Sequence, residues 1–380
     1  MGNSIQEAQH LGQSIWLDYV RRGLLKSGEF QRLIEQGISG VTSNPTIFEK
    51  AIVGSTDYDE VLLLLAKANK SIKEIVEVLA LEDIRAAADW LRPTHERTKG
   101  EHGYASLEVN PLLAYDTNAT IEEGRRLFAA LDRPNILVKV PATPEGMPAI
   151  RRLTSEGINV NVTLIFSLDS YQQVREAYVA GLEDLLGNDG DPSRVVSVAS
   201  FFLSRIDTAV DTQLEERIRK GEEKLKTLPG KAAIASARLA YKAFKDSFQS
   251  ERFAALKAKG ARVQRPLWAS TGTKNPAYSD VIYVEPLIGP DTINTMPPAT
   301  INAFLEHGHA EATLEQNYSE AEQSLSALAA AGISMGQITT RLLADGVKSF
   351  SDSFDKLLAG ITEKMEQLLA KENVQDQRRP

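Results

Sequence analysis

Cysteine is absent from this chain of 380 residues. Disulfide cross-links, thiol nucleophiles and thiolate metal sites are therefore excluded, and the composition suits a reducing compartment. Histidine numbers only 5. His10, His95 and His102 fall outside the apolar runs, and His307 and His309 have too few ligand types nearby for a metal site, so no metal is expected. The first residues, MGNSIQEAQHLGQS, lack the basic segment and apolar stretch of a secretory leader. No apolar run approaches the roughly 18 residues needed to cross a bilayer. The expectation is a soluble, intracellular protein with no membrane partner. Positive charge is also in deficit, with 43 Lys and Arg against 51 Asp and Glu and a net charge of -8. That balance argues against nucleic acid as a partner, because such binding rests on neutralising phosphates. A small anionic substrate remains compatible if a few cations gather locally. No GxGxxG follows the first apolar run, and no GxxxxGK[ST] or GxSxG occurs, so dinucleotide, Walker-type and serine-hydrolase readings lose their main support.

What the chain does contain is a recurrent alternation. Short runs rich in Val, Ile and Leu lie at 14–20, 39–44, 105–110, 136–141, 159–166, 195–202, 266–271 and 281–287. Amphipathic segments such as 121–131, 167–186 and 204–225 separate them, with apolar residues at three- and four-residue spacing. Strand and helix alternating this often imply parallel pairing with crossover helices. Polar residues sit toward the C-terminal end of nearly every run: Asp18, Asn44, Glu108, Lys139, Thr163, Ser200 and Ser270. Barrel enzymes assemble their sites at that edge. The expected fold is a (β/α)8 TIM barrel, α/β in class, as a single domain over 1–380. The long intervals 45–104 and 203–264 are read as extra helices, 290–304 as a Pro-rich loop leading into a helix, and 312–372 as a C-terminal helical extension. The polar tail KENVQDQRRP is expected to fray.

The segment ILVKVP (136–141) carries the sharpest chemical signal, because an ammonium stands in a buried strand. Alternate strand residues share a face, so Lys139 points with Leu137 and Pro141. An apolar setting disfavours the charged amine, and the neutral amine is a nucleophile toward carbonyls. Two readings of Lys139 stand at this point: a Schiff-base lysine, or a lysine paired with a carboxylate at the barrel rim. Asp18 and Glu108 are likewise single carboxylates in apolar runs, each open to reading as a salt-bridge partner at the barrel rim or as a catalytic group. Imine formation needs proton transfers at both addition and dehydration, which two such carboxyls could supply. Asn44, Asn161, Thr163 and Ser200 are uncharged donors suited to sugar hydroxyls, or alternatively caps of strand ends and turns. Arg205 and Lys274 are the cations placed where barrel phosphate sites often lie, beside a helix start, or alternatively are solvated surface charges.

Five stretches then carry a family likeness: GISGVTSNPTIFEKAI (37–52), SLEVNP (106–111), ILVKVPATPEG (136–146), GINVNVTLIFS (157–167) and SFFLSRID (200–207). In this order they resemble the transaldolases, in particular the longer form. The resemblance implies metal-free and cofactor-free class I aldol chemistry, sugar-phosphate substrates and a cytoplasmic place in the pentose phosphate pathway. A homo-oligomer is compatible with it. It implies Lys139 as the Schiff-base lysine and Asp18 as the acid and base at C4. It pairs Glu108 with Thr163 around a water, and sets Asn44, Asn161 and Ser200 on the dihydroxyacetone hydroxyls. Phe202 stands where aldolases that release free dihydroxyacetone tend to offer a tyrosine, so transfer is expected over release. One departure is visible: the arginine usually found two places after the Ser270 equivalent is Gly272 here. Lys274 is the expected substitute, with Arg205 and Ser270, as the grip on phosphate.

Overall fold

The computed structural model describes residues 2–376, except for the side chains of 373–376. Eight parallel strands close into a barrel in sequence order: β1 (Gln13–Leu17), β2 (Gly40–Thr42), β3 (Tyr104–Glu108), β4 (Ile136–Pro141), β5 (Val160–Ile165), β6 (Ser197–Phe202), β7 (Arg265–Ala269) and β8 (Thr292–Met296). Closure is made by β8 on β1, in register from Gln13 with Thr292 to Leu17 with Met296. The first seven strands overlap the runs expected from sequence. The eighth does not, and this is a correction: 281–287 is a turn ending in the 3-10 helix Glu285–Leu287, and β8 lies in 290–304, where sequence points to a loop. Pro286 has no N–H for a ladder. The segment instead packs against the barrel wall, where Trp268 Nε1 donates to the Leu287 carbonyl at 3.1 Å and Asn294 Nδ2 to that of Tyr283 at 3.0 Å.

Both long intervals fold as helices. The first holds Pro45–Val53, Asp59–Lys67 and Ile72–Arg97; the second holds Ser204–Arg219, Ala232–Phe248 and Glu251–Lys257. Local sequence explains their starts. Asn44 caps the first of them, its side chain accepting from Ile47 N with Pro45 at the first helical position. Ser71 and Glu74 form a reciprocal capping box at the start of Ile72–Arg97. After β8 come Pro298–His307, Tyr318–Ala330 and a helix of 42 residues, Met335–Asp376. The tail expected to fray is helical to Asp376, and 377–380 lie outside the described residues.

Strand pairing and the two-residue period sort the interior into levels. Trp16, Leu137, Leu267 and Ile293, all fully buried, fill the middle. Gly40 makes room for the largest of these: a Cβ there would come within 2.4 Å of the Trp16 indole. Above this apolar plug, toward the C-terminal strand ends, the interior face turns polar, with Asp18, Thr42, Glu108, Lys139, Asn161, Thr163, Ser200 and Thr295. Among the described residues no helix is long and apolar enough to cross a membrane.

Candidate active site

Lys139 lies on β4 in direct register with Glu108 of β3 and Asn161 of β5, so the three side chains project into the barrel at one level. The Lys139 and Glu108 side chains are only 5% and 4% exposed, and Nζ lies 3.4 Å from Glu108 Oε2. Nζ also donates to the Ser43 carbonyl at 3.1 Å. Burial pushes the Glu108 carboxyl up to about 7, outweighing the opposing pull of the Lys139 charge, while the nearby Asp18 pushes the same way. Asp18 stands just past β1, where Thr42 Oγ1 donates to its Oδ1 at 2.7 Å. Burial raises this carboxyl too, against Lys139, Thr42 and Lys274, which favour its charged form.

Around this centre the polar side chains form a relay. Ser200 Oγ donates to Asn161 Oδ1 at 2.7 Å, and Asn161 Nδ2 donates to Ser106 Oγ at 3.1 Å. Thr163 Oγ1 and Glu108 Oε2 are buried with no hydrogen-bond partner. A buried polar atom left this way costs about 1–3 kcal/mol. The backbone beside Thr163 is also strained: the β5–β6 register shifts between Val162 and Ile165, and Leu164 is left-handed at φ 60°. A bulky residue in that region costs roughly 1–3 kcal/mol and is held only by its surroundings. The helix Met335–Asp376 supplies them, for a Cβ on Gly346 would come within 3.0 Å of Leu164 Cδ2.

A cavity of about 240 Å³ opens above the amine. Eight of the residues singled out from sequence line it: Asp18, Asn44, Lys139, Ser200, Phe202, Arg205, Ser270 and Lys274. Asn161 and Thr163 are fully buried and do not line it. Glu108 lines a separate neighbouring cavity of about 250 Å³ that reaches Asn110 and Arg126. Asn44 has both functions weighed for it available: Oδ1 is committed to the helix cap at 2.9 Å from Ile47 N, and its NH₂ is left for the cavity. Arg205 lies in the first turn of Ser204–Arg219, its guanidinium 5.9 Å from the Phe202 ring. It has no carboxylate partner among the described residues, and burial draws it below the ordinary arginine range. Ser270 is left-handed at φ 55°, and its hydroxyl is 2.9 Å from that of Ser204. Lys274 differs from expectation in one respect: it sits in an irregular loop and not at a helix start, because Pro276 and the turn after it interrupt any helix.

Sequence reading missed Lys50, Thr46, Thr42, Thr295 and Phe350, all of which line the cavity. Thr46 and Lys50 were findable, being four apart on the helix that Asn44 caps and therefore on one face. Phe350 carried no such signal. It arrives from the helix Met335–Asp376, with its ring 6.0 Å from Lys139 Nζ, and the same helix is tied down by Ser353 Oγ, 2.8 Å from Thr46 Oγ1. Among the described residues no group of three or more His, Asp or Glu side chains is arranged to hold a metal ion.

These features place the chain among the parallel eight-stranded barrels that carry a lysine-centred polar site at the C-terminal mouth. The family model described as Transaldolase/Fructose-6-phosphate aldolase matches residues 15–361. A protein named Transaldolase from Trichodesmium erythraeum is 46% identical over 374 residues, covering 96% of this chain and 98% of its own. The Transaldolase of Thiobacillus denitrificans is 48% identical over 360 residues, covering 94% and 99%, and Transaldolase 2 of Nostoc punctiforme is 45% identical over 375, covering 96% and 98%. The chain belongs to the transaldolase/fructose-6-phosphate aldolase family.

Proposed function

We propose that this chain is a transaldolase that moves a dihydroxyacetone unit from sedoheptulose 7-phosphate to glyceraldehyde 3-phosphate, giving erythrose 4-phosphate and fructose 6-phosphate, reversibly. The observation that carries this reading is the Lys139 amine, 3.4 Å from a carboxyl that titrates at about 7, at the floor of a polar cavity. Lys139 Nζ attacks the ketose C2 carbonyl, and the carbinolamine then loses water. Glu108 gives and takes the protons of both steps, since a group that titrates near neutrality serves as acid and base alike. Thr163 Oγ1 and Glu108 Oε2, neither of them hydrogen-bonded, are the two groups that hold the water involved. Asp18 takes the C4 hydroxyl proton. The C3–C4 bond then breaks, its electron pair enters the iminium to give an enamine on Lys139, and the first aldose leaves. The second aldose binds and the enamine attacks its carbonyl carbon, while Asp18 returns the proton to the new hydroxyl. Water then hydrolyses the imine.

Asn44, Asn161 and Ser200 hold the hydroxyls of the three-carbon unit, and Arg205, Ser270 and Lys274 hold the phosphate. A guanidinium without a carboxylate partner is suited to a bidentate grip on phosphate, with the ammonium adding a point charge. The Phe202 ring, 5.3 Å from that of Phe166, gives the enamine an apolar neighbour that cannot orient a proton-donating water. Transfer therefore prevails over release of free dihydroxyacetone. The reaction belongs to the cytoplasmic pentose phosphate pathway. Borohydride reduction in the presence of fructose 6-phosphate, followed by peptide mapping, should place a three-carbon adduct on Lys139, and Lys139→Ala should abolish both adduct and turnover. An adduct on another lysine would end this reading.

A further inference from the structure

The opposite end of the barrel holds a second polar cavity, larger than the first at about 830 Å³. Its wall is built from the N-terminal strand ends: Gln13 opens β1, Arg265 opens β7, and Asp291 immediately precedes β8. The plug of Trp16, Leu137, Leu267 and Ile293 separates it from the Lys139 site. Four cations line it, Arg97, Lys99, Arg262 and Arg265, against two carboxylates, Glu101 and Asp291. None of the four forms a salt bridge with a carboxylate among the described residues, although most arginines elsewhere on the chain do. A net positive wall of this kind is unusual in a chain of net charge -8.

Two of the guanidiniums are fixed by carbonyl and hydroxyl oxygens, which cannot neutralise them. Arg262 donates to the carbonyls of Gly100 and Lys99 at 2.5 and 2.9 Å, and Arg265 to the Glu101 carbonyl at 2.7 Å and to Ser14 Oγ at 3.3 Å. Each keeps further N–H donors, since a guanidinium carries five. Burial draws the Arg265 guanidinium below the ordinary range, with Arg262 pushing the same way and Tyr104, Asp291 and Glu101 opposing it only in part. His102 adds no charge at neutrality: burial, with Arg265 and Arg97 beside it, holds it at about 4. The cavity's size falls in the range of small-molecule sites, roughly 300–1,000 Å³.

We propose that this N-terminal cavity is a binding site for a small molecule bearing one or more phosphate groups, separate from the lysine-centred mouth and held by Arg97, Arg262 and Arg265. Fork-shaped donors lining one cavity can match phosphate oxygens two at a time. The site does not depend on the transaldolase reading, because none of its residues faces Lys139.

Calorimetric titration with inorganic pyrophosphate tests it. The full chain carrying Arg205→Ala is used, so that the mouth contributes little anion affinity. That protein should bind one pyrophosphate per chain, and adding Arg97→Glu, an exposed position with no partner to lose, should weaken binding at least tenfold. Arg262→Gln should weaken it similarly, while Arg97→Lys should retain most of it. Competition by ADP and by ribose 5-phosphate distinguishes a nucleotide from a sugar phosphate as the source of the phosphate group. Absence of binding in the Arg205→Ala chain, or binding indifferent to both Arg97→Glu and Arg262→Gln, would overturn the proposal.

Discussion

Two clusters of buried charge in this molecule invite comparison. Behind the barrel, Arg22 donates to Asp83 Oδ1 at 2.9 Å and to Glu82 at 2.8 Å, and Tyr58 donates to the other Asp83 oxygen at 2.7 Å while accepting from the Arg22 backbone N–H at 3.0 Å. Both oxygens of Asp83 and the Tyr58 hydroxyl are engaged. In the mouth, Lys139 and Glu108 are just as buried, yet their separation is 3.4 Å, Glu108 Oε2 and Thr163 Oγ1 have no hydrogen bond, and a cavity stands over the amine. The first cluster uses up its bonding capacity and the second holds some in reserve. Burial of charge therefore does not by itself mark a reactive centre; unspent donors and acceptors beside a cavity do.

That distinction can be broken at either cluster. The largest effect is expected at the mouth: Asp18→Asn should lower kcat by about 10²–10⁴-fold, the usual worth of a positioned acid or base. The borohydride adduct on Lys139 should survive, so equal loss of adduct and turnover would reassign Asp18. Asp83→Ala should do the reverse. Removing one partner of a buried ion pair costs about 3–5 kcal/mol, which urea unfolding would read, with kcat per folded molecule unchanged. A fall in kcat there would show that the two clusters are not separable.

The smallest and most specific effect concerns pH. The folded protein holds Glu108 protonated up to about 7, above its ordinary value, so folding favours the protonated form. Its contribution to stability is complete below the ordinary carboxylate range and is lost as pH rises through about 7. Glu108→Gln should remove that decline in melting temperature, together with the matching limb in the pH profile of imine formation. If the profiles of the wild type and the Glu108→Gln variant run parallel through that window, Glu108 is not the titrating group.

Most of the barrel could be read from the chain because a strand covered on both faces keeps an apolar run wherever it sits. β8 escaped notice for the converse reason: in TINTM the buried positions are largely Thr and Asn, which hydrogen-bond to Gly289, Tyr283 and Thr42. The neighbouring VIYVEPL, richer in Val and Ile, drew the assignment instead. At the mouth, residues on strand ends were legible because a charge in an apolar run is conspicuous. Phe350 was not, since one phenylalanine on an amphipathic helix looks like any other until the helix is placed.

The helix Met335–Asp376 also has a consequence in time. The ribosome makes all eight strands before it makes Phe350. A nascent barrel that closes early is thus a roofless one, its amine open to any passing carbonyl until the last stretch of chain emerges and settles over it.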